Sequence, residues 1–154
     1  RYDVKTLMRD VLNSPEFSAP QYYRSLVRSP IEFLVAFARA MEIPTATITP
    51  RLAAAGTPLG MGLFDMPDVG GWPSNGAWIS SASVLARVNF VVQTFATINP
   101  ATLQQPGPRG TVRDFIGRYL EDTISPSTTE ILNAANDDLT RRMVLAASPE
   151  FQLK

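Results

Sequence analysis

The chain has 154 residues, 45% of them hydrophobic, which suits one domain with a core of its own and excludes intrinsic disorder. Fourteen basic residues balance fourteen acidic ones, so no net field draws in nucleic acid or an acidic membrane surface. Cys and His are both absent, which excludes disulfides, thiolate or imidazole metal sites, Ser-His-Asp triads and Cys-His dyads and leaves chemistry to carboxylates, Arg, Lys, Tyr and hydroxyls.

Every strongly periodic segment repeats at the helical period and none alternates cleanly, so the expected class is all-α. The architecture expected is an irregular bundle of six or seven helices in a single domain, 1–154, with one long, ordered Gly/Pro/Trp-rich loop. In the first segment Val4, Leu7, Met8, Val11 and Leu12 share one helical face, with Asp3 as N-cap and a stop at Asn13-Ser14-Pro15. A Pro-rich passage with Tyr22 and Tyr23 follows. Ser29-Pro30-Ile31-Glu32 is then a capping box with Pro at the first helical position, opening a helix to about Glu42. That helix is apolar on most sides, so it should lie centrally. Thr49-Pro50 is expected to open a short helix ending near Gly56.

Met61 to Phe90 is the stretch around which the chain is organised: a loop that runs straight into the longest helix. Between Asp65 and Asn75, Pro67 and Pro73 lack N–H groups and Gly70-Gly71 permits positive φ, so the backbone is irregular. Trp72 and Trp78 bracket its exit, and their apolar area predicts a loop packed down on the protein. The following helix is expected over about Ala77 to Ile98, burying Trp78, Ala82, Leu85, Asn89, Val92 and Ala96, widened by Val88 and Phe95. An amide buried at Asn89 must be paired. Asn99 to Gly110 reads as a mobile connection. Thr111-Val-Arg-Asp114 caps a helix through Phe115 and Leu120, Ser125-Pro126 opens another around Leu132, and a last one spans Asp138 to Ala147. Ser-Pro-Glu-Phe occurs twice, at Ser14–Phe17 and Ser148–Phe151, and reads as a reused helix terminator.

The run Leu63-Phe64-x-x-Pro67-x-Val69-x-Gly71-Trp72-Pro73, then Trp78-Ile79 and Leu85-Ala86-Arg87-Val88-Asn89-Phe90, resembles the core signature of the bacterial family named domain of unknown function 1800. Tyr23-Arg24-x-Leu26-Val27-x-Ser29-Pro30-x-Glu32-Phe33 and Ala147-Ser148-Pro149-Glu150-Phe151-Gln152 are similar to the same family. The resemblance implies a C-terminal portion of a longer protein, because members carry a Trp-x-Asn-His-Phe type segment further N-terminal with no counterpart here. It also implies an exported protein, periplasmic or extracellular, accompanied by a sulfatase-like or phosphatase-like partner protein.

The residues that would bind a ligand or partner are Asp65, Asp68, Trp72, Asn75, Trp78, Arg87 and Asn89. Asp65, Asp68 and Asn75 would suit Ca²⁺ by ligand type, yet their spacing matches no calcium loop, and Asp at turn starts commonly caps backbone N–H groups. No metal ligands, catalytic residues or cofactor are therefore assigned. Trp72 and Trp78 either plug the core or form a platform for a glycan. Arg87 either pairs with Asp65 or Asp68, locking loop to helix, or receives an anion. Two functions follow. One is a non-catalytic scaffold or binding portion packing against the missing N-terminal part, a partner protein or a glycan. The other is one wall of a hydrolase cleft whose catalytic residues lie in that missing part. No segment is long enough to span a bilayer, the longest apolar run being Phe33 to Ala38.

Overall fold

The computed structural model describes residues 3–99 and 110–154. The expected mobile connection lies almost wholly outside the described residues. Seven α-helices are present among them: α1 (Val4–Asn13), α2 (Pro30–Ala40), α3 (Thr45–Ala55), α4 (Ser81–Thr97), α5 (Val112–Leu120), α6 (Pro126–Ala134) and α7 (Asp138–Ala147). Short 3-10 turns occupy Pro20–Tyr22, Asn75–Trp78 and Glu150–Gln152. No strand occurs among the described residues, and a single antiparallel bridge joins Val27 to Leu153.

Local cap chemistry fixes most helix starts. The Ser29 hydroxyl accepts from the Glu32 N–H while the Glu32 carboxylate accepts from the Ser29 N–H, with Pro30 at the first helical position. Thr111 and Asp114 form the same reciprocal pair. Ser125 caps α6 and Asp137 caps α7. Two starts differ from expectation. Helix α3 begins at Thr45 rather than Thr49, with Pro50 inside it. Pro50 removes the N–H that would bond to the Ala46 carbonyl, but both residues are exposed, so that carbonyl is left open to solvent. Helix α4 begins at Ser81 rather than Ala77, because Ser80 and Ser83 cap one another there. Asn75–Trp78 becomes a separate turn, held by the Ser83 hydroxyl donating to the Trp78 carbonyl at 2.9 Å.

The core is aromatic. Phe33 meets Phe90 and Phe151 edge-on at 6.1 and 6.0 Å, Phe37 meets Phe90 at 5.3 Å, and Phe151 stacks on Phe115 at 6.1 Å. These are favoured geometries for ring quadrupoles, and each fully buried Phe contributes roughly 1.5–3 kcal/mol by transfer. Helix α2 supplies Phe33, Leu34 and Phe37 and lies centrally, as its composition predicts. Helix α7 packs against α4, α5 and α6.

The buried face of α4 is not the expected one. Arg87, Phe90, Val91, Thr94 and Phe95 point inward, while Leu85, Asn89 and Val92 are exposed. Apart from Phe95, the face is displaced by two residues, about 200° round at roughly 100° per residue. Most of the helix circumference is apolar, so periodicity left the rotation open, and the inward facing of Arg87 and Phe90 set it.

The organising loop also differs. Trp78 is buried, but Leu63, Phe64, Met66 and Val69 all face outward, Phe64 at 98% exposure in a left-handed conformation with φ 63°. The loop is held at its base and not packed along its length. Helix α1 departs further. Its stripe of Val4, Leu7, Met8, Val11 and Leu12 forms as expected, yet no residue of α1 is buried. The helix that presents an exposed apolar stripe is therefore α1.

Candidate functional site

Six of the seven residues singled out from the sequence fall in three places, and Asp65 stands apart from them. Trp72 and Trp78 pack together at 6.4 Å between ring centroids, tilted by 39°. Trp78 is buried and Trp72 half-buried, and neither belongs to the central cluster. Asp68 accepts a hydrogen bond from the Gly70 N–H at 2.6 Å, which closes the turn before Trp72. Asn75, at φ 48°, accepts from the Val27 N–H at 3.0 Å and so ties the loop to the chain entering α2. Asp65 sits in the exposed part of the loop, away from these contacts.

Arg87 faces neither Asp65 nor Asp68, and the expected loop-to-helix ion pair does not form. Its guanidinium donates to the Gln152 side-chain carbonyl at 3.1 Å and to the Arg28 backbone carbonyl at 2.8 Å, and lies 5.3 Å from the centre of the Phe33 ring. The cation is buried among neutral acceptors, and burial pulls its pKa down. Arg28 completes the arrangement by donating to the Phe151 carbonyl at 2.8 Å with its guanidinium 4.8 Å from that ring. Gln152 in turn donates to the Ser148 carbonyl at 3.2 Å. This network locks α4 and the start of α2 to the C-terminal turn. It is structural, and the sequence hid it because its acceptors are backbone carbonyls and an amide rather than carboxylates.

Asn89 lies on a third surface. Rotation of α4 places it at the rim of a cleft of about 350 Å³ between α3 and α4, beside Arg51 and Gln93. Ala86, Phe90 and Leu59 form the floor. Arg51 and Gln93 were not foreseen. Gln93 stands four residues after Asn89, which on a helix is one turn along the same face, and that spacing was the available signal.

A family model described as "Protein of unknown function (DUF1800)" matches residues 1–153. The chain belongs to the DUF1800 family. No curated protein and no solved structure matches it. Within this DUF1800 chain, the loop-to-helix run that carries the resemblance contributes to all three places: the tryptophan pair, the buried Arg87 network and the Asn89 rim. Among the described residues, no group of three or more acidic side chains converges as a metal site would require, and no helix is long and apolar enough to cross a membrane.

Proposed function

We propose that this DUF1800 chain is a non-catalytic helical scaffold and binding portion of a longer, exported protein, and that α1 is the face on which the missing N-terminal part packs. The observation that carries the reading is a pair of matched units. Helices α1 and α7 each have 10 residues. Asp3 accepts from the Thr6 N–H and hydroxyl as Asp137 does from those of Thr140. Each helix then ends in Ser-Pro-Glu-Phe, with the Phe N–H donating to the Ser hydroxyl at 3.3 Å in both. In α7 the unit is docked, with Phe151 at the centre of the core. In α1 the same unit carries an apolar stripe and Phe17 into solvent. A stripe of this kind on a stable helix is a surface awaiting a partner. The outward tip of the loop, at Leu63, Phe64 and Met66, offers a second such surface for a partner protein.

The experiment compares binding of a hydrophobic dye by three proteins: this chain, its Leu7→Glu/Val11→Glu variant, and a longer chain carrying the N-terminal part. Strong binding by the first and weak binding by the other two is the expected result. The variant should unfold within about 0.5 kcal/mol of the parent, as surface substitutions do. Equal dye binding by all three would overturn the reading.

A further inference from the structure

The cleft between α3 and α4 has the parts of a small-molecule site. Leu59 and Phe90 belong to the central cluster, and their exposed edges form the floor together with Ala86. The far end is rigid. The Met61 N–H donates to the Gly56 carbonyl at 2.8 Å and the Leu59 N–H to the Ala55 carbonyl at 3.1 Å, closing a tight turn. A Cβ on Gly56 would come 2.7 Å from the Met61 carbonyl oxygen, so glycine is required for this closure. The turn so closed holds Leu59 in place within the floor, which lowers the ordering cost of binding there.

Its polar groups are confined to the rim. Arg51 takes part in no hydrogen bond or ion pair among the described residues, and the Asn89 and Gln93 amides are likewise without partners there. One guanidinium offers two parallel N–H donors to a planar carboxylate, and the two amides add neutral donors beside it. A dianion would keep one charge uncompensated, because among the described residues no second cation lines the cleft. A cation would meet Arg51 head-on. An apolar floor below a single anion-binding rim is the arrangement that selects an amphiphile with one charge.

We propose that this cleft binds a medium-chain aliphatic monocarboxylate, with the carboxylate on Arg51 between Asn89 and Gln93 and the chain lying on Phe90, Leu59 and Ala86. The site is separate from α1 and independent of the scaffold reading. It also gives Asn89 a role as a ligand-facing amide, where the sequence suggested a buried, paired one.

The test is a titration of the ¹⁵N-labelled chain with sodium octanoate, read by NMR, with 1-octanol and octyltrimethylammonium as comparison ligands. Saturable shifts of the Asn89 and Gln93 side-chain amides and the Arg51 Nε–H are expected with octanoate, and weaker ones with the other two. Arg51→Gln should weaken octanoate binding about ten- to a hundredfold, the range for losing a hydrogen bond to a charged group. The parent's unfolding midpoint should be kept, since Arg51 makes no hydrogen bond or ion pair to another described residue. Ala86→Leu, which fills the floor, should abolish binding with Arg51 intact. Leu7→Glu/Val11→Glu should leave it unchanged, separating the cleft from the α1 face. Shifts confined to α1, equal binding of all three ligands, or full binding by Arg51→Gln would each overturn the proposal.

Discussion

The Glu150 carboxylate accepts a hydrogen bond from the Ser125 backbone N–H at 2.7 Å, so the turn that follows α7 caps the helix that begins at Pro126. The Thr128 hydroxyl donates to the same carboxylate at 3.1 Å. Burial alone would raise the Glu150 pKa, but the hydrogen bonds from Ser125 and Thr128 outweigh it and lower it from 4.5 to about 2. Because the folded pKa is depressed, the unfolded chain binds the proton more readily. The stabilisation is therefore complete above pH 4.5 and is lost as pH falls toward 2. With its partial exposure discounted, the contribution is on the order of 1–2 kcal/mol. Glu150→Gln should lower stability by that amount at pH 7 and by much less at pH 2.5. Denaturant midpoints at the two pH values check this, and an equal loss at both would show that the charge is not what stabilises.

Phe17 and Phe151 end the same tetrapeptide but sit in opposite environments, 59% and 0% exposed. Phe151→Ala removes a ring that touches Phe33 and Phe115 and should cost about 3–5 kcal/mol. Phe17→Ala should stay within about 0.5 kcal/mol in this chain. Equilibrium urea unfolding of the two variants measures the difference.

Trp78 is the more deeply buried of the paired indoles and should anchor the loop more strongly than Trp72. Trp78 is 7% exposed, and its carbonyl holds the Ser83 hydroxyl at the start of α4. Trp78→Ala should cost about 3–5 kcal/mol. Trp72→Ala should lose mainly the indole pair, roughly 0.5–1.5 kcal/mol. A larger loss for Trp72 in thermal unfolding would reverse this assignment.

Arg87→Ala leaves the Arg28 carbonyl and the Gln152 amide oxygen without their donor and removes the cation over Phe33. Two hydrogen bonds from a charged donor imply a loss of about 3 kcal/mol or more. Arg87→Lys should recover only part of it, because a single ammonium does not span two acceptors in the guanidinium's fixed fork. Circular dichroism melting of both variants provides the check, and full rescue by lysine would point to charge alone.

Helix existence and most helix starts were legible in the sequence because cap chemistry is local: Asp3, Ser29, Thr111 and Ser125 each satisfy N–H groups within three residues of themselves. The all-α class and the central place of α2 follow in the same way, from periodicity and from an apolar circumference. The α3 start was missed because Pro50 reads as an opener, although an exposed helix tolerates a proline whose lost acceptor faces water. Among the site residues, the proximity of Trp72 to Trp78 and the turn-capping role of Asp68 were within reach of local reasoning.

Which face of a helix meets which neighbour was decided only by the tertiary structure. On α4 the apolar residues run most of the way round, so the inward turning of Arg87 and the outward turning of Asn89 depend on carbonyls contributed by Arg28 and on Gln152, far away in the chain. The same holds for the repeated Ser-Pro-Glu-Phe. The tetrapeptide specifies its own turn twice over, because those hydrogen bonds span three residues. Whether its phenylalanine is buried depends on what stands opposite: Phe33 and Phe115 face Phe151, and among the described residues no comparable socket covers Phe17.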